Sequence, residues 1–218
     1  MSAVVWVLVL IGVLGLPAAT VAVLGRTRVA VGLGVVWAAW IVVSVVLAAN
    51  DFYRAAPGEI RPWVGVAVVA VFVAALAAAR IPSVATILAE PGMAARLVRP
   101  QMFRVIGAVF LIAMLLGELP AIFALPAGLG DVAVGIAAYF VARRARQTAW
   151  FHVLGLLDLV VAVGIGFLAG PGGFIAVSPS TVEVTLLPLV LIPTTAVPLA
   201  AALHVAALTR LRTPVAVR

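Results

Sequence analysis

The chain contains no cysteine and no lysine. The first absence removes disulfides, thiolate metal sites, iron–sulfur clusters and cysteine nucleophiles together. The second removes Schiff-base chemistry, a covalently held retinal included, and leaves all fourteen basic positions to arginine. Charge of any kind is scarce, at 10% of 218 residues, where soluble domains carry about 25%. There is no HExxH, no glycine-rich phosphate loop, and no GxSx motif of an intramembrane serine hydrolase. Ser44, the one serine deep in an apolar run, has no histidine at its depth. Histidine itself occurs only as His152 and His204. These exclusions weigh against an enzyme and against a protein-built metal site.

What is present is apolar. Hydrophobic residues make up 66% of the chain, and runs of about 20 such residues mark bilayer crossings. They predict an all-α, polytopic transmembrane bundle, one domain over 1–218, with seven spans at roughly 3–24, 29–49, 62–79, 105–125, 126–142, 149–170 and 184–208. The boundary between spans four and five carries Pro120 and Pro126, so whether both are full spans or one includes a re-entrant segment stays open.

Twelve of the fourteen arginines fall in alternate connections and the tail, among them Arg26, Arg28, Arg80, Arg96, Arg99, Arg104, Arg143, Arg144, Arg146, Arg210, Arg212 and Arg218. Only Arg54 and Arg61 fall in the other set. Cytoplasmic loops collect arginine, so the N-terminus is expected outside and the C-terminus in the cytoplasm of a bacterial inner membrane. The net charge of +7 is thus an orientation signal and does not point to nucleic acid. The first apolar run has no basic residues before it and two after it, the order of a retained helix rather than a cleaved signal. In connection two, Pro57–Gly58 predicts a turn. Connection three, from Arg80 to Arg104, is apolar with basic residues, and is expected to lie along the cytoplasmic interface.

The few polar groups inside the spans define the candidate site. At ~100° per residue, His152, Gly155, Asp158, Ala162, Gly166 and Ala169 form one stripe of the sixth span. Asp158 would lie ~13 Å inside the cytoplasmic boundary, where an ionisable group marks a function by default. The fourth span aligns Arg104, Gly107, Leu111, Met114 and Glu118, with Arg104 snorkelling to headgroups. The fifth aligns Gly128, Asp131, Gly135, Ala138 and Ala142, and the short connection is expected to bring Asp131 level with Glu118. Two carboxylates at one depth share a proton or a cation. The bland alternative makes Asp131 a helix cap and leaves Glu118 in water. His152 and His204 fall in the cytoplasmic third of adjacent spans, as an inner relay or as ligands to haem iron from two sides. Trp37 and Trp40 lie mid-span, packed between helices or stacked on a ligand. Pro188, Pro193 and Pro198 interrupt the last span, with Thr194 and Thr195 placed to satisfy freed backbone groups. The strings starting at Asp131 (DVAVGI) and Asp158 (DLVVAVGI) echo each other, as inverted repeats do and as chance in a Val/Ala/Gly-rich chain also does.

The segments PQMFRVIGAVFL, LPAIFALPAGLGD, GLLDLVVAVGIG and LPLVLIPTTAVPLAAALH together resemble an uncharacterised group of small bacterial polytopic membrane proteins, over Pro100 to His204. That resemblance implies a multi-helix inner-membrane fold and brings no reaction or ligand. The layout is also similar to that of the microbial rhodopsins, and fails at the lysine they require. The leading expectation is a small proton-linked permease whose path is lined by spans four to seven. Glu118 and Asp131 would stand at its outer mouth, Arg104 at its inner end, Asp158 at its midpoint and the histidines as relay. Its partners would be the lipid bilayer and a small solute or proton. The alternatives are a redox module holding haem, quinone or pigment, and a structural or regulatory subunit of a homo-oligomer or larger membrane complex.

Overall fold

The computed structural model describes residues 2–25, 27–55, 59, 62–144 and 148–211. Arg26, Arg61, Arg146, Arg212, Arg218 and the Pro57–Gly58 turn lie outside the described residues.

Helix α1 (Ala3–Leu24) starts at Ser2, whose hydroxyl accepts from the Val5 amide, and α2 (Arg28–Ala49) starts at Thr27, which accepts from Ala30. Each cap fills one of the orphan donors of a helix N-terminus. Next come α3 (Trp63–Ala78), α4 (Pro82–Leu88) and α5 (Met93–Arg96), followed by a 3-10 segment Arg99–Gly107 that continues into α6 (Ala108–Leu115). The chain then forms α7 (Ala121–Arg144), α8 (Ala149–Leu168), a 3-10 turn Thr181–Thr185, a π-helical turn Ile192–Ala196 and α9 (Val197–Leu211). No strand occurs among the described residues. Among the described residues, six helical stretches are long and apolar enough to cross a membrane: α1, α2, Met93–Leu115, α7, α8 and Ile192–Leu211. The pair α3–α4, bent by 83° at the residues before Pro82, makes a seventh if taken as one broken span. The chain is a multi-pass membrane protein.

Three span positions differ from expectation. The fourth runs over Met93–Leu115 rather than 105–125, so part of connection three is inside the bundle. The reason is that Arg99, Gln101 and Arg104 make this segment look interfacial by composition. Gln101 and Arg104 are in fact buried, and packed between α1 and α7. The fourth span stops at Gly117, whose φ of 75° is the left-handed conformation that glycine tolerates. After Pro120, α7 begins five residues earlier than 126 and keeps Pro126 within it. Spans four and five are therefore two separate helices. The last span starts at Ile192, eight residues later than 184.

The last span is the hub of the bundle, in contact with α1, α2, α3, α5 and α8. Its prolines explain part of that. Pro198 has no N–H, which frees the carbonyl of Thr194 four residues back. The Trp40 indole donates to that carbonyl at 2.8 Å. Ser44, one turn along α2, donates to the Thr194 hydroxyl at 2.8 Å, and that hydroxyl donates back to the Val190 carbonyl at 2.7 Å. Trp40 and Ser44 thus repair the backbone of a broken helix. The remaining core of α2 is thin, since only Ala30, Ile41 and Ser44 of its 22 residues are buried.

Candidate functional site

Arg104 is the one charged side chain enclosed by the fourth span, with 3% of its side chain exposed. It stands twelfth of the 23 residues Met93–Leu115. Asp131 is eleventh of the 24 in α7, and Asp158 tenth of the 20 in α8. Three neighbouring helices therefore bring one guanidinium and two carboxylates to mid-span. Arg104 donates through Nε to Asp131 Oδ1 at 2.7 Å, through Nη2 to Asp158 Oδ2, and through Nη1 to the Gly155 carbonyl at 3.1 Å. The planar fork of arginine fits this division between two acids and a carbonyl, which a single ammonium cannot match. The side chains of Asp131 and Asp158 keep 13% and 17% of their area exposed.

A fourth helix joins through histidine. Arg104 Nη1 approaches Nε2 of His204 at 3.4 Å, and His204 Nδ1 lies 3.0 Å from Nδ1 of His152. An arginine N–H can only donate, so Nε2 of His204 accepts and its proton belongs on Nδ1. That proton is given to Nδ1 of His152, which leaves the His152 proton on Nε2. Both imidazoles are fully buried. One chain of hydrogen bonds thus runs from the aspartates through Arg104 to the end of the bundle that carries α5 and the start of α8.

Glycines make the approach possible. Asp131, Asp158 and His204 are each seated over a glycine of the preceding span. A Cβ on Gly107 would stand 2.2 Å from Asp131 Cβ, one on Gly130 would stand 1.7 Å from Asp158 Oδ1, and one on Gly155 would stand 2.5 Å from His204 Nε2. In lipid, where greasy side chains gain little by leaving the bilayer, small residues let helices close on one another and put polar groups within reach.

The structure brings together Arg104, Asp131, Asp158, His204 and His152, and leaves Glu118 apart. Glu118 follows the turn at Gly117, whereas Asp131 lies ten residues inside α7, so the two are not level. Asp131 is not a helix cap, and Arg104 does not snorkel: both point inward and pair. The inward stripes on α7 and α8 are present, with Gly128, Gly135 and Ala138 buried on the first and His152 and Gly155 on the second. The imidazoles are in direct contact, with ring centroids 5.2 Å apart, which does not leave the space that iron and a porphyrin plane would need between them. Among the described residues no three His, Asp or Glu converge as metal ligands. Ser44 is occupied by Thr194 and Tyr53.

Two elements of the site were not read from the sequence. Gln101 donates to the Ala200 carbonyl at 3.2 Å, fixing the fourth span to the last one turn below Arg104. Gly130 lies off the stripe of α7 that was singled out, because it serves α8 rather than the fourth span. Polar residues spaced by three in RPQMFR were the available signal for the first.

A family model described as a domain of unknown function (DUF8737) matches residues 61–212, and the chain belongs to that family. The match takes in α3 through α9 and every residue of the buried polar chain. No curated protein and no solved structure matches the chain.

Proposed function

We propose that this member of the DUF8737 family is a small proton-linked permease, with Asp158 and Asp131 as its protonatable midpoint. The single observation that carries the reading is the charge count at mid-span: two carboxylates face one guanidinium. The surplus negative charge in a low-dielectric interior calls for a proton or a solute cation. A bundle that loads and releases that ion on opposite sides is a transporter. His204 and His152, joined through their Nδ1 atoms, extend the same chain toward the arginine-rich end, as an inner relay does. The π-helical turn at Ile192–Ala196 supplies the broken helix that such proteins use to change packing. By the arginine distribution, that relay end faces the cytoplasm and the membrane is the bacterial inner membrane.

The test is proton movement in vesicles reconstituted with the purified protein, read by a lumenal pH dye after an acid step outside. Native protein should admit protons faster than empty vesicles. Asp158→Asn should return the rate to that of empty vesicles at equal protein incorporation. Infrared difference spectra between acid and alkaline buffer should show the C=O stretch of a protonated carboxyl that Asp158→Asn removes. Unaltered flux in the variant takes Asp158 out of the path, and a native rate equal to that of empty vesicles takes transport away.

A further inference from the structure

A cleft of about 310 Å³ opens at the end of the bundle opposite the histidines, beside Thr181 and Thr185, and reaches down to Asp131. Its walls are Phe110, Phe123, Phe167, Leu159 and Ile192, and Asp131 is the only charged side chain on them among the described residues. Phe110 and Phe123 meet edge to face, centroids 5.3 Å apart. We infer that this cleft binds an organic monovalent cation with an apolar body, with Asp131 as its counter-ion. The inference rests on the transport reading above and names the class of solute.

Three observations favour that chemistry. The Asp131 carboxylate shares the Arg104 guanidinium with Asp158, so the floor of the cleft carries charge that a ligand cation can complement while Arg104 keeps Asp158. Aromatic faces attract alkylammonium groups that a hydrated inorganic ion would not bring against them. A divalent metal would need several oxygen ligands, and this wall offers one carboxylate. In sequence, the connections that follow the second, fourth and sixth spans hold Asp51, Glu59, Glu118 and Glu183 against Arg54 and Arg61, a balance that favours cations over anions. At this size the cleft sits at the small end of ligand pockets, about 300–1,000 Å³, which suits an amine bearing one ring.

Benzyltrimethylammonium is the probe, with neopentylbenzene as its uncharged counterpart. Binding to purified protein in detergent is read by calorimetry, with proton release followed in weak buffer. Native protein should bind the cation, and Asp131→Asn should weaken it about tenfold or more while leaving neopentylbenzene unaffected. Ala162→Phe narrows the cleft from α8 and keeps the Asp131 carboxylate, and should weaken both ligands to a similar degree; it carries the test if Asp131→Asn does not fold. Equal binding of the cation by native protein and Asp131→Asn overturns the inference, as does native protein that fails to bind it. Failure to bind with proton flux intact sinks the solute class alone. Binding without proton release keeps the site and sinks the proton-linked reading.

Discussion

Helices α2 and α8 have 22 and 20 residues and draw on nearly the same alphabet of Val, Leu, Ala and Gly. Each buries only a few of them. The difference lies in which ones. Helix α2 is fixed by Trp40 and Ser44, two side chains that both reach Thr194 of the last span, and it presents Val31, Val35, Val36, Val42 and Val46 outward. Helix α8 is fixed by His152, Gly155 and Asp158, which meet the fourth span, α7 and α9 together. Burying a valine gains little when the alternative is lipid. Position is therefore set by polar atoms that have no other partner and by small residues that let them approach. One helix is tethered; the other is part of a closed polar core.

The largest break in that contrast should come from Arg104→Met. It leaves two carboxylates at mid-span with no cation, and loss of one partner of a buried pair costs about 3–5 kcal/mol. The triple variant Arg104→Met, Asp131→Asn, Asp158→Asn removes the uncompensated charge and should recover a good part of the loss. Arg104→Lys should fall between, because an ammonium gathers its donors on one nitrogen, whereas the two acids and the Gly155 carbonyl are reached from three separate guanidinium nitrogens. Thermal unfolding in detergent ranks the three. A triple variant as unstable as Arg104→Met would show that Arg104 acts by shape and not by charge.

Gly130→Ala comes next, because its methyl would occupy the place of Asp158 Oδ1. Asp158 must swing away, and with it goes one charge-assisted contact to Arg104. The expected cost is about 2–3 kcal/mol, with the protonated-carboxyl infrared band altered as well. Wild-type stability here would mean that α7 and α8 can separate without disturbing the ion pair.

Much of this was legible in the sequence and some was not, for one physical reason. Helices facing lipid carry their signal in hydropathy, so α1, α2 and α8 stand within two residues of where their apolar runs put them. The fourth span carries Gln101 and Arg104 inside the bundle, and a hydropathy scan counts both as loop. Their cost is cancelled by Ala200, Asp131 and Asp158, which are 27 to 99 residues away. No local window contains that compensation. The inward stripes of α7 and α8 were readable because spacing alone reveals a face. Which acid met which base was not, because Asp131 and Glu118 are close in sequence while Asp131 and Arg104 are close in space. The break in the last span was signalled by three prolines, but not that Trp40 would answer Pro198.

The smallest effect is expected on the tethered side, and it sharpens the comparison most. Gly32 is fifth in α2, exposed, and a Cβ there would meet nothing within 4 Å. It seats no polar group, unlike Gly107, Gly130 or Gly155. Gly32→Ala should leave thermal unfolding unchanged or raise stability by up to about 1 kcal/mol, since alanine holds helix better than glycine. The same substitution would then be harmful on α7 and harmless or helpful on α2, from steric context alone. A clear loss at Gly32 would instead mean that this face of α2 is covered in the membrane by another protein surface. Light scattering of the purified protein and its variant would then have to show an assembly that Gly32→Ala weakens, and α2 would count as a second packed core.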